Sequence, residues 1–354
     1  MHINLPDNAE EWAASAQKFL DTTMPWEVEA EMNEGKLPDE IDKKHRQMAI
    51  DMGLSCMDIP KIFGGKELSI IEQVAVWEVL GRSTNALTWC FSEPQAWMLE
   101  ACSDEQIKEY ILPLMDGSRH ECYAITESES GSELDVKTTA KKTDGGYLIN
   151  GEKWFVTGAN HADFFFLQAV IESNNETIGD AMFLLNMDEA GIEHVRTPLF
   201  SHTFDSHHPI YKFNDVFIPE KNLIGSENAG MSYALAWFRR ERLMIAARCC
   251  GAAARLIEEA TDFATTRKVK DGKLSDQQAI QFMLADSVTE LWAARLMLYE
   301  TANAHDRNDD LKALHYRCSA AKLFASEMAN KVADRVVQIF GGRGYMREFT
   351  AERF

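Results

Sequence analysis

The spacing of apolar residues changes twice along this 354-residue chain, which limits the folds that it can adopt. Apolar residues recur every three or four positions in Trp12–Leu20, Gln47–Met52 and Ile70–Leu80, as amphipathic helices require. From Cys122 to Ile218 the pattern becomes short β-rich runs separated by turns. Helical patterns return after Gly225. The predicted strands and helices are Phe164–Ile171, Ala181–Leu185, Ile192–Arg196 and Tyr211–Ile218, then Met231–Thr266, Asp276–Ala304 and Leu311–Phe340.

This order predicts an α+β multidomain fold. We expect an N-terminal α-helical domain over 1–118, a middle small β-barrel or sandwich over 119–225, and a C-terminal helical bundle over 226–354. Ser103-x-x-Gln106 is a capping box that should open a helix over Ile107–Met115.

The charge balance limits the classes of partner. The formal net charge is −20, which argues against nucleic acid or an anionic membrane. An anionic substrate would therefore need a local cluster of arginines. Seven cysteines without a Cys-x-x-Cys pair, no secretory signal at the start and no bilayer-length apolar run indicate a soluble protein without membrane insertion. We expect a cytoplasmic location or an equivalent reduced compartment, such as a mitochondrial matrix.

The segment Cys122–Thr157 is the first candidate site. A short strand, Tyr123–Ile125, leads into a loop of hydroxyls, carboxylates and Gly131, whose backbone N–H groups can face an anion or a ring carbonyl. Asn150-Gly151 then predicts a hairpin turn that places Phe155 and Thr157 on one strand face. This arrangement suits a planar, hydrogen-bonding ring system. A plain Ser/Glu surface loop explains the same pattern equally well.

A charged tetrad interrupts the first long C-terminal helix, which is otherwise almost entirely apolar. Within Arg239-Arg240-Glu241-Arg242, the carboxylate has only apolar helical neighbours at three and four residues. Loss of solvent raises the pKa of such a carboxylate and nearby arginine lowers it, a balance that suits a general base. The residue pattern alone favours the alternative, a buried structural ion pair. The four neighbours of Glu241 are Trp237, Phe238, Met244 and Ile245.

Taken together, these segments resemble the acyl-CoA dehydrogenase family, whose central motif is Thr-Glu-Pro-x-x-Gly-Ser-Asp. Ser128 replaces the proline and Glu133 the aspartate. The resemblance spans nearly the whole chain in the right order. The motif matches are Thr126, Glu127, Gly131 and Ser132, and the further matches are Gly151–Thr157, Arg242, Arg267, Gln278 and Gln338–Gly344.

The resemblance implies FAD bound between the barrel and a C-terminal four-helix bundle. Family members continue past Gly344 for longer than this chain does, so we expect the last helix to be missing. Arg267 also suits a helix C-terminus, Gln278 a capping box with Ser275, and Gly341-Gly342 a left-handed helix C-cap. The residues implied for the cofactor are Tyr123, Ile125, Thr126, Gly131, Ser132, Phe155, Thr157, Arg267, Gln278, Gln338, Gly341 and Gly342.

The resemblance also implies the chemistry. Glu241, at the position of the catalytic glutamate in isovaleryl-CoA-type relatives, would abstract the α-proton of an acyl-CoA while flavin N5 accepts the β-hydride, giving a trans-2-enoyl-CoA. Arg242 would orient base and substrate, and Ser132 and Arg239 would also contact substrate. Electrons would pass to an electron-transferring flavoprotein or equivalent acceptor, and the enzyme would be a homodimer or homotetramer.

Two departures from the family keep other functions open. Arg239 stands where many members have an acidic residue, and Phe204–His208 replaces most of a Gly-x-Arg-x-Ser pattern. A carrier-bound acyl or aminoacyl substrate is therefore an alternative, as is a non-catalytic FAD-binding protein; a flavin monooxygenase is less favoured. Adjacent residues of a strand point to opposite faces, so His207-His208 lacks the arrangement of a metal site and no metal is predicted.

Overall fold

The computed structural model describes residues 5–87, 94–130, 135–174, 176–201, 208–270 and 272–354. The chain divides into two compact units. The helical unit comprises Met1–Leu54, Glu67–Cys90 and Phe238–Phe354, and the sheet unit comprises Ser55–Lys66 and Phe91–Trp237. The three sequence segments 1–118, 119–225 and 226–354 stay a prediction.

Two sets of helices build the helical unit, one from each end of the chain. Several predicted boundaries are confirmed to within two residues, since Ile70–Leu80 and Leu311–Phe340 are helices with those limits. The helices are α1 (Asp7–Thr23), α2 (Glu27–Met32), α3 (Asp39–Asp51) and α4 (Ile70–Leu80); the sheet unit contributes α5 (Ala96–Ala101), α6 (Asp104–Gln106) and α7 (Leu112–Met115); and α8 (Gly230–Thr266), α9 (Gln278–Asp306), α10 (Leu311–Phe340) and α11 (Thr350–Arg353) follow.

The packing of α8 against α4 explains a glycine in the middle of a long helix. A Cβ atom at Gly251 would lie 2.0 Å from the carbonyl oxygen of Glu78, so only glycine allows the two backbones to approach this closely. The Glu78 carboxylate in turn accepts hydrogen bonds from Arg295 and Tyr299 of α9, at 2.7 Å each. Polar contacts therefore join three helices around one close backbone crossing.

Among the described residues, one mixed sheet of seven strands forms the β-rich middle of the chain. The central strand β4 (Phe164–Ser173) pairs with β5 (Glu176–Asn186) along one edge and in parallel with β1 (Glu121–Ala124) and β2 (Thr139–Thr143) along the other. Its apolar run Phe164–Leu167 is fully buried, as expected for a strand covered on both faces. The remaining strands are β3 (Gly146–Lys153), β6 (Ile192–Arg196) and β7 (Ile210–Pro219), and a separate two-stranded ribbon joins β8 (Lys268–Val269) to β9 (Gly272–Lys273).

The hairpin predicted at Asn150-Gly151 is wrong. Both residues lie within β3, where the register with β7 shifts between Ile149 and Gly151. The Asn150 amide donates to Asp215 Oδ1 and its oxygen accepts the Asp215 N–H, at 2.9 and 3.0 Å, so the pair closes a bulge. The turn between β2 and β3 instead contains Gly145, whose φ is +76°.

A second prediction for the sheet unit is confirmed. The Ser103 hydroxyl accepts the backbone N–H of Gln106, and the Gln106 side chain accepts the N–H of Ser103. A π-helix, Ile107–Ile111, separates α6 from α7 in the helix that this capping box opens. No helix of the described residues is long and apolar enough to cross a membrane.

A buried carboxylate connects α2, α8 and α11. The Glu27 oxygens accept hydrogen bonds from Arg255 at 2.7 and 2.8 Å and from Arg353 at 3.2 Å, and the backbone N–H of Thr84 donates at 2.8 Å. Burial by itself raises the pKa of Glu27, but the hydrogen bond and charge of Arg255 outweigh it and lower that pKa. Glu27 is therefore the counter-charge for two guanidinium groups.

Replacing Glu27 should destabilise the protein strongly. Glu27→Gln keeps the shape of the side chain but removes the anion that Arg255 and Arg353 share, leaving Arg255 only its pair with Glu259, and we expect a loss of about 3–5 kcal/mol in the free energy of unfolding. Urea unfolding followed by circular dichroism measures the change. Glu258→Gln is the control, because its pair with Arg82 is 59% exposed on the glutamate side and should contribute below ~1 kcal/mol. Equal losses in the two variants would contradict the structural role of Glu27.

Candidate active site

The end of β1 carries the first predicted cofactor residues. The Tyr123 ring stacks on Trp237 with centroids 4.1 Å apart and on Phe166 at 4.9 Å, and Ile125 is buried. The carbonyl oxygen of Thr126 accepts the backbone N–H of Trp154 at 2.8 Å. This bond holds Thr126, just past the end of β1, against Trp154, just past the end of β3. The structure therefore brings the two predicted flavin segments together.

A buried ion pair lies beneath this junction. Glu127 Oε1 accepts hydrogen bonds from Lys153 Nζ at 2.7 Å and from the Thr138 hydroxyl at 2.6 Å, while the N–H groups of Lys137 and Thr138 donate at 2.7 and 2.8 Å. Lys153 Nζ also donates to the carbonyl oxygen of Ile125 at 3.0 Å. Three segments of the sheet unit, 125–127, 137–138 and the end of β3, therefore meet at one ion pair.

The two charges of this pair shift each other's protonation. Burial raises the pKa of Glu127. The charge and hydrogen bond of Lys153, together with the side-chain and backbone hydrogen bonds of Thr138, outweigh burial and hold that pKa below its usual value. Lys153 has no exposed side-chain surface, and burial lowers its pKa to about 8 against the opposing effect of Glu127. Both groups are thus charged at neutral pH.

Lys153 was not among the residues predicted from the sequence, although a signal for it was present. Tyr147 and Ile149 lie on the buried face of β3, and alternation from these residues places Lys153 on the same face. A lysine predicted to be buried in a strand requires a carboxylate partner, and Glu127 of the motif is that partner.

Phe155 and Thr157 lie beyond the end of β3. The prediction that Phe155 and Thr157 share one face of a strand is wrong, because the strand ends at Lys153. Phe155 instead adopts a positive φ of 54° and leaves 47% of its surface exposed. A bulky residue with this left-handed backbone conformation costs on the order of 1–3 kcal/mol in strain, and such strain clusters at ligand and active sites.

Two half-buried aromatic rings and an exposed hydroxyl group lie near Phe155. Trp154 and Phe200 contact its ring edge-on, at centroid distances of 5.7 and 6.0 Å. The exposed Thr157 hydroxyl lies 2.8 Å from Nδ1 of His208, a contact that the sequence did not predict. An exposed ring held in a strained conformation beside a hydroxyl suits a planar ligand such as a flavin ring. Gly131 and Ser132, and the segment Phe204–His207, lie outside the described residues.

In the helical unit, the charged tetrad of α8 separates into distinct environments. Arg240 is buried; its Nε donates to Gln73 Oε1 at 2.9 Å and its guanidinium lies 4.8 Å from the ring centroid of Trp77. Glu241 and Arg242 are half-buried. Arg242 Nη1 donates to Nε2 of His315 in α10, at 3.0 Å. His315 could not be predicted from the sequence, because the contact depends on how two helices pack.

The residues predicted for the adenine end of the cofactor are exposed on the helical unit. Arg267 directly follows α8, and Gln338 lies in the last turn of α10. Gln278 begins α9, whose N-cap is Gln277, so the predicted capping box with Ser275 is wrong. A Cβ atom at Gly341 or Gly342 would have no described protein atom within 4 Å, which leaves room for an extended ligand. The predicted left-handed C-cap is wrong in one respect, because Gly341 has a φ of +61° but a ψ of −137°.

The described residues contain no group of three or more His, Cys, Asp or Glu side chains that could hold a metal ion. His208 is one member of the predicted His-His pair, and the other, His207, lies outside the described residues.

Comparison with known proteins identifies the family. Three family models, for the N-terminal, middle and C-terminal domains of acyl-CoA dehydrogenase, match residues 6–118, 122–216 and 228–354. The chain is 31% identical to the caffeyl-CoA reductase–Etf complex subunit CarC of Acetobacterium woodii, over 96% of this chain and 89% of that protein. The chain belongs to the acyl-CoA dehydrogenase family.

Two further proteins show the range of similarity. An acyl-CoA dehydrogenase of Bacillus subtilis is 31% identical over 85% of this chain and 80% of that protein. The solved structure of PigA with FAD and proline is 25% identical, with a TM-score of 0.87, over 100% of this chain and 92% of that chain. The predicted fold class, the enzyme class of flavin oxidoreductases that act on CH–CH bonds, and the cofactor FAD are thereby confirmed.

The Glu127–Lys153 pair should make the stability of this acyl-CoA dehydrogenase family member depend on pH. Because the pKa of Glu127 is lowered in the folded protein, its contribution is complete above the usual glutamate value of 4.5 and is lost as the pH falls through the folded pKa. We expect Glu127→Gln to cost about 3–5 kcal/mol at neutral pH, since Lys153 loses its counter-charge, and less in acid.

Urea unfolding at a series of pH values measures this difference. Glu227→Gln is the control, because that partly exposed carboxylate pairs with Lys142 and should contribute below ~1 kcal/mol. A difference between wild type and Glu127→Gln that stays constant as the pH falls would refute the assignment.

Proposed function

We propose that the protein dehydrogenates the Cα–Cβ bond of an acyl-CoA thioester, giving the trans-2-enoyl thioester, with Glu241 as the base. The observation that carries this proposal is the position of Glu241. It is a half-buried carboxylate in the long helix α8, beside the family arginine Arg242. Partial burial of a carboxylate favours its use as a base near neutral pH.

The chain's own residues hold and orient the reacting groups. Glu241 accepts the α-proton, and Arg242, held by its hydrogen bond to His315, orients the base and the substrate. Thr126, Phe155 and Thr157 would hold the flavin ring, and the exposed residues Arg267, Gln278, Gln338, Gly341 and Gly342 the adenine end. When bound, FAD supplies the hydride acceptor at N5 and thus the redox capacity that side chains lack.

Anaerobic titration with saturated acyl-CoA thioesters tests the reaction. Transfer of hydride bleaches the yellow flavin, and Glu241→Gln should slow the bleaching ~10²–10⁴-fold because a positioned base is lost. Glu258→Gln, in the same helix but with an exposed carboxylate, is the matched control and should bleach at the wild-type rate. Bleaching that survives in Glu241→Gln would exclude this residue as the base.

Two related functions are favoured by specific observations. Because CarC of Acetobacterium woodii is described as part of a caffeyl-CoA reductase, the physiological direction here could be reduction of an enoyl thioester. Because PigA binds FAD and proline, and Arg239 departs from the family pattern, a carrier-bound aminoacyl substrate is the second candidate. Flavin reoxidation by an enoyl-CoA supports the first, and bleaching only by carrier-bound thioesters the second. Flavin that no thioester bleaches indicates a non-catalytic FAD-binding protein.

We further propose that the electron partner is an electron-transferring flavoprotein and that the enzyme is a homodimer or homotetramer in a reducing compartment. CarC belongs to an Etf complex, which supports the first part. An exposed apolar stripe along one face of α9 supports the homo-oligomer. Free thiols at the cysteines among the described residues support a reducing compartment. The stripe consists of Phe282, Val288, Trp292 and Leu296.

A charge within this stripe should dissociate the oligomer. Trp292→Glu places a carboxylate where the proposed interface is apolar, and light scattering after size-exclusion chromatography should show a smaller mass. The control is Ile62→Glu, an exposed apolar residue of the sheet unit that lies outside the stripe. An unchanged mass for Trp292→Glu would remove α9 from the interface.

A further inference from the structure

Two arginines of α8 face two residues of α10 within the helical unit. Arg239 and Arg242 are three residues apart in α8, and His315 and Cys318 are three apart in α10, so each pair lies on one side of its helix. Arg242 donates to His315 at 3.0 Å, and the charges of both arginines act on His315 and on the Cys318 thiol. We call these four residues the α8–α10 basic cluster.

Three other arginines of the helical unit are paired with carboxylates. Arg255 pairs with Glu27, Arg295 with Glu78 and Arg335 with Glu290, at 2.5–2.7 Å. Within the part of the chain that the structure describes, no carboxylate forms a salt bridge with Arg239 or Arg242. The contrast is informative in a chain with 56 acidic residues, because carboxylates are plentiful elsewhere.

The other members of the cluster add no negative charge. Burial lowers the pKa of His315, and the neighbouring charges of Arg242 and Arg239 lower it further, so the imidazole is neutral and accepts from Arg242. Burial raises the pKa of Cys318 to about 11, so its thiol is protonated at neutral pH. Burial also lowers the pKa of Arg239, and repulsion from Arg242 adds to that effect. The cluster thus presents two partly desolvated positive charges without a counter-ion among the described residues.

We propose that Arg239 and Arg242 bind a carboxylate at the far end of the substrate's acyl group, so that the preferred substrates are carboxyacyl thioesters. The inference rests on the proposed function for the thioester. Oxyanions are the natural ligands of paired guanidinium groups. Arg242 directly follows Glu241 in α8 and Arg239 lies one turn away on the same side as Arg242, whereas the long pantetheine arm separates the phosphates of CoA from the reacting carbons. The acyl carboxylate is therefore the better match.

Binding of matched thioesters to the FAD-loaded enzyme tests this assignment. Isothermal titration in the Glu241→Gln background, in which proton abstraction is removed, compares butyryl-CoA with succinyl-CoA and hexanoyl-CoA with adipyl-CoA. We expect at least one carboxyacyl thioester to bind roughly ten- to a hundred-fold more tightly than its neutral partner. Adding Arg239→Met should abolish this preference without weakening the neutral ligands, and Arg239→Lys should retain part of it.

Further comparisons distinguish an acyl carboxylate from a CoA phosphate as the anion that the cluster binds. Arg317→Met removes an arginine of α10 that lies outside the cluster and pairs with Asp309. This variant should leave the carboxyacyl preference unchanged. CoA without an acyl group should bind equally well with and without Arg239; a loss matching that of the carboxyacyl ligands would assign the cluster to a phosphate and overturn the proposal. Equal affinity for neutral and carboxyacyl thioesters in the presence of Arg239 would also overturn it.

These results are independent of the reaction itself. Rapid bleaching of otherwise wild-type enzyme by neutral thioesters, with no carboxyacyl preference in binding, would refute the cluster's role and leave the dehydrogenase function intact. A strong carboxyacyl preference without any bleaching would support the cluster's role and refute the dehydrogenase function.

Discussion

The sheet unit depends on the buried contact between Glu127 and Lys153. One carboxylate satisfies an ammonium group, a hydroxyl and two backbone N–H groups, and the ammonium also binds the carbonyl oxygen at the end of β1. Because a buried charge without its partner costs several kcal/mol, these groups assemble together or not at all. The same contact fixes Thr126, and through it the backbone of Trp154, so it also positions the segment that presents Phe155.

This contact gives a physical reason for the glutamate of the motif. Glu127 is buried and faces Lys153, so its role is to hold the loop ends rather than to meet a ligand. Residues that would meet the flavin lie on either side of it: Thr126 is half-buried, and Phe155 and Thr157 are exposed. The motif therefore combines a structural residue with residues that we propose to face the flavin, and the sequence alone does not separate them.

The elements that the sequence predicted well are those with a strong local signal. Two helices and one strand have the predicted limits because the local pattern of apolar residues defines them. They are the helices Ile70–Leu80 and Leu311–Phe340 and the strand Ile192–Arg196. Asn150-Gly151 was misjudged because its turn propensity is local, whereas the pairing of β3 with β7 and the contact of Asn150 with Asp215 are not. His315 and the partners of Arg240 were missed for the same reason, since they depend on packing between helices distant in sequence.

The distribution of charge in the helical unit separates stability from recognition. Arg255 and Arg295 each bind a carboxylate supplied by the fold, so their charge is consumed in holding helices together. Arg239 and Arg242 form no such pair among the described residues. Membership of the acyl-CoA dehydrogenase family accounts for the flavin and for redox chemistry at a CH–CH bond, but it does not account for two positive charges that the fold leaves without a salt bridge. Such charges have a physical explanation if the substrate brings the anion. Substrate choice would then depend on these two arginines, whereas proton abstraction would depend on Glu241.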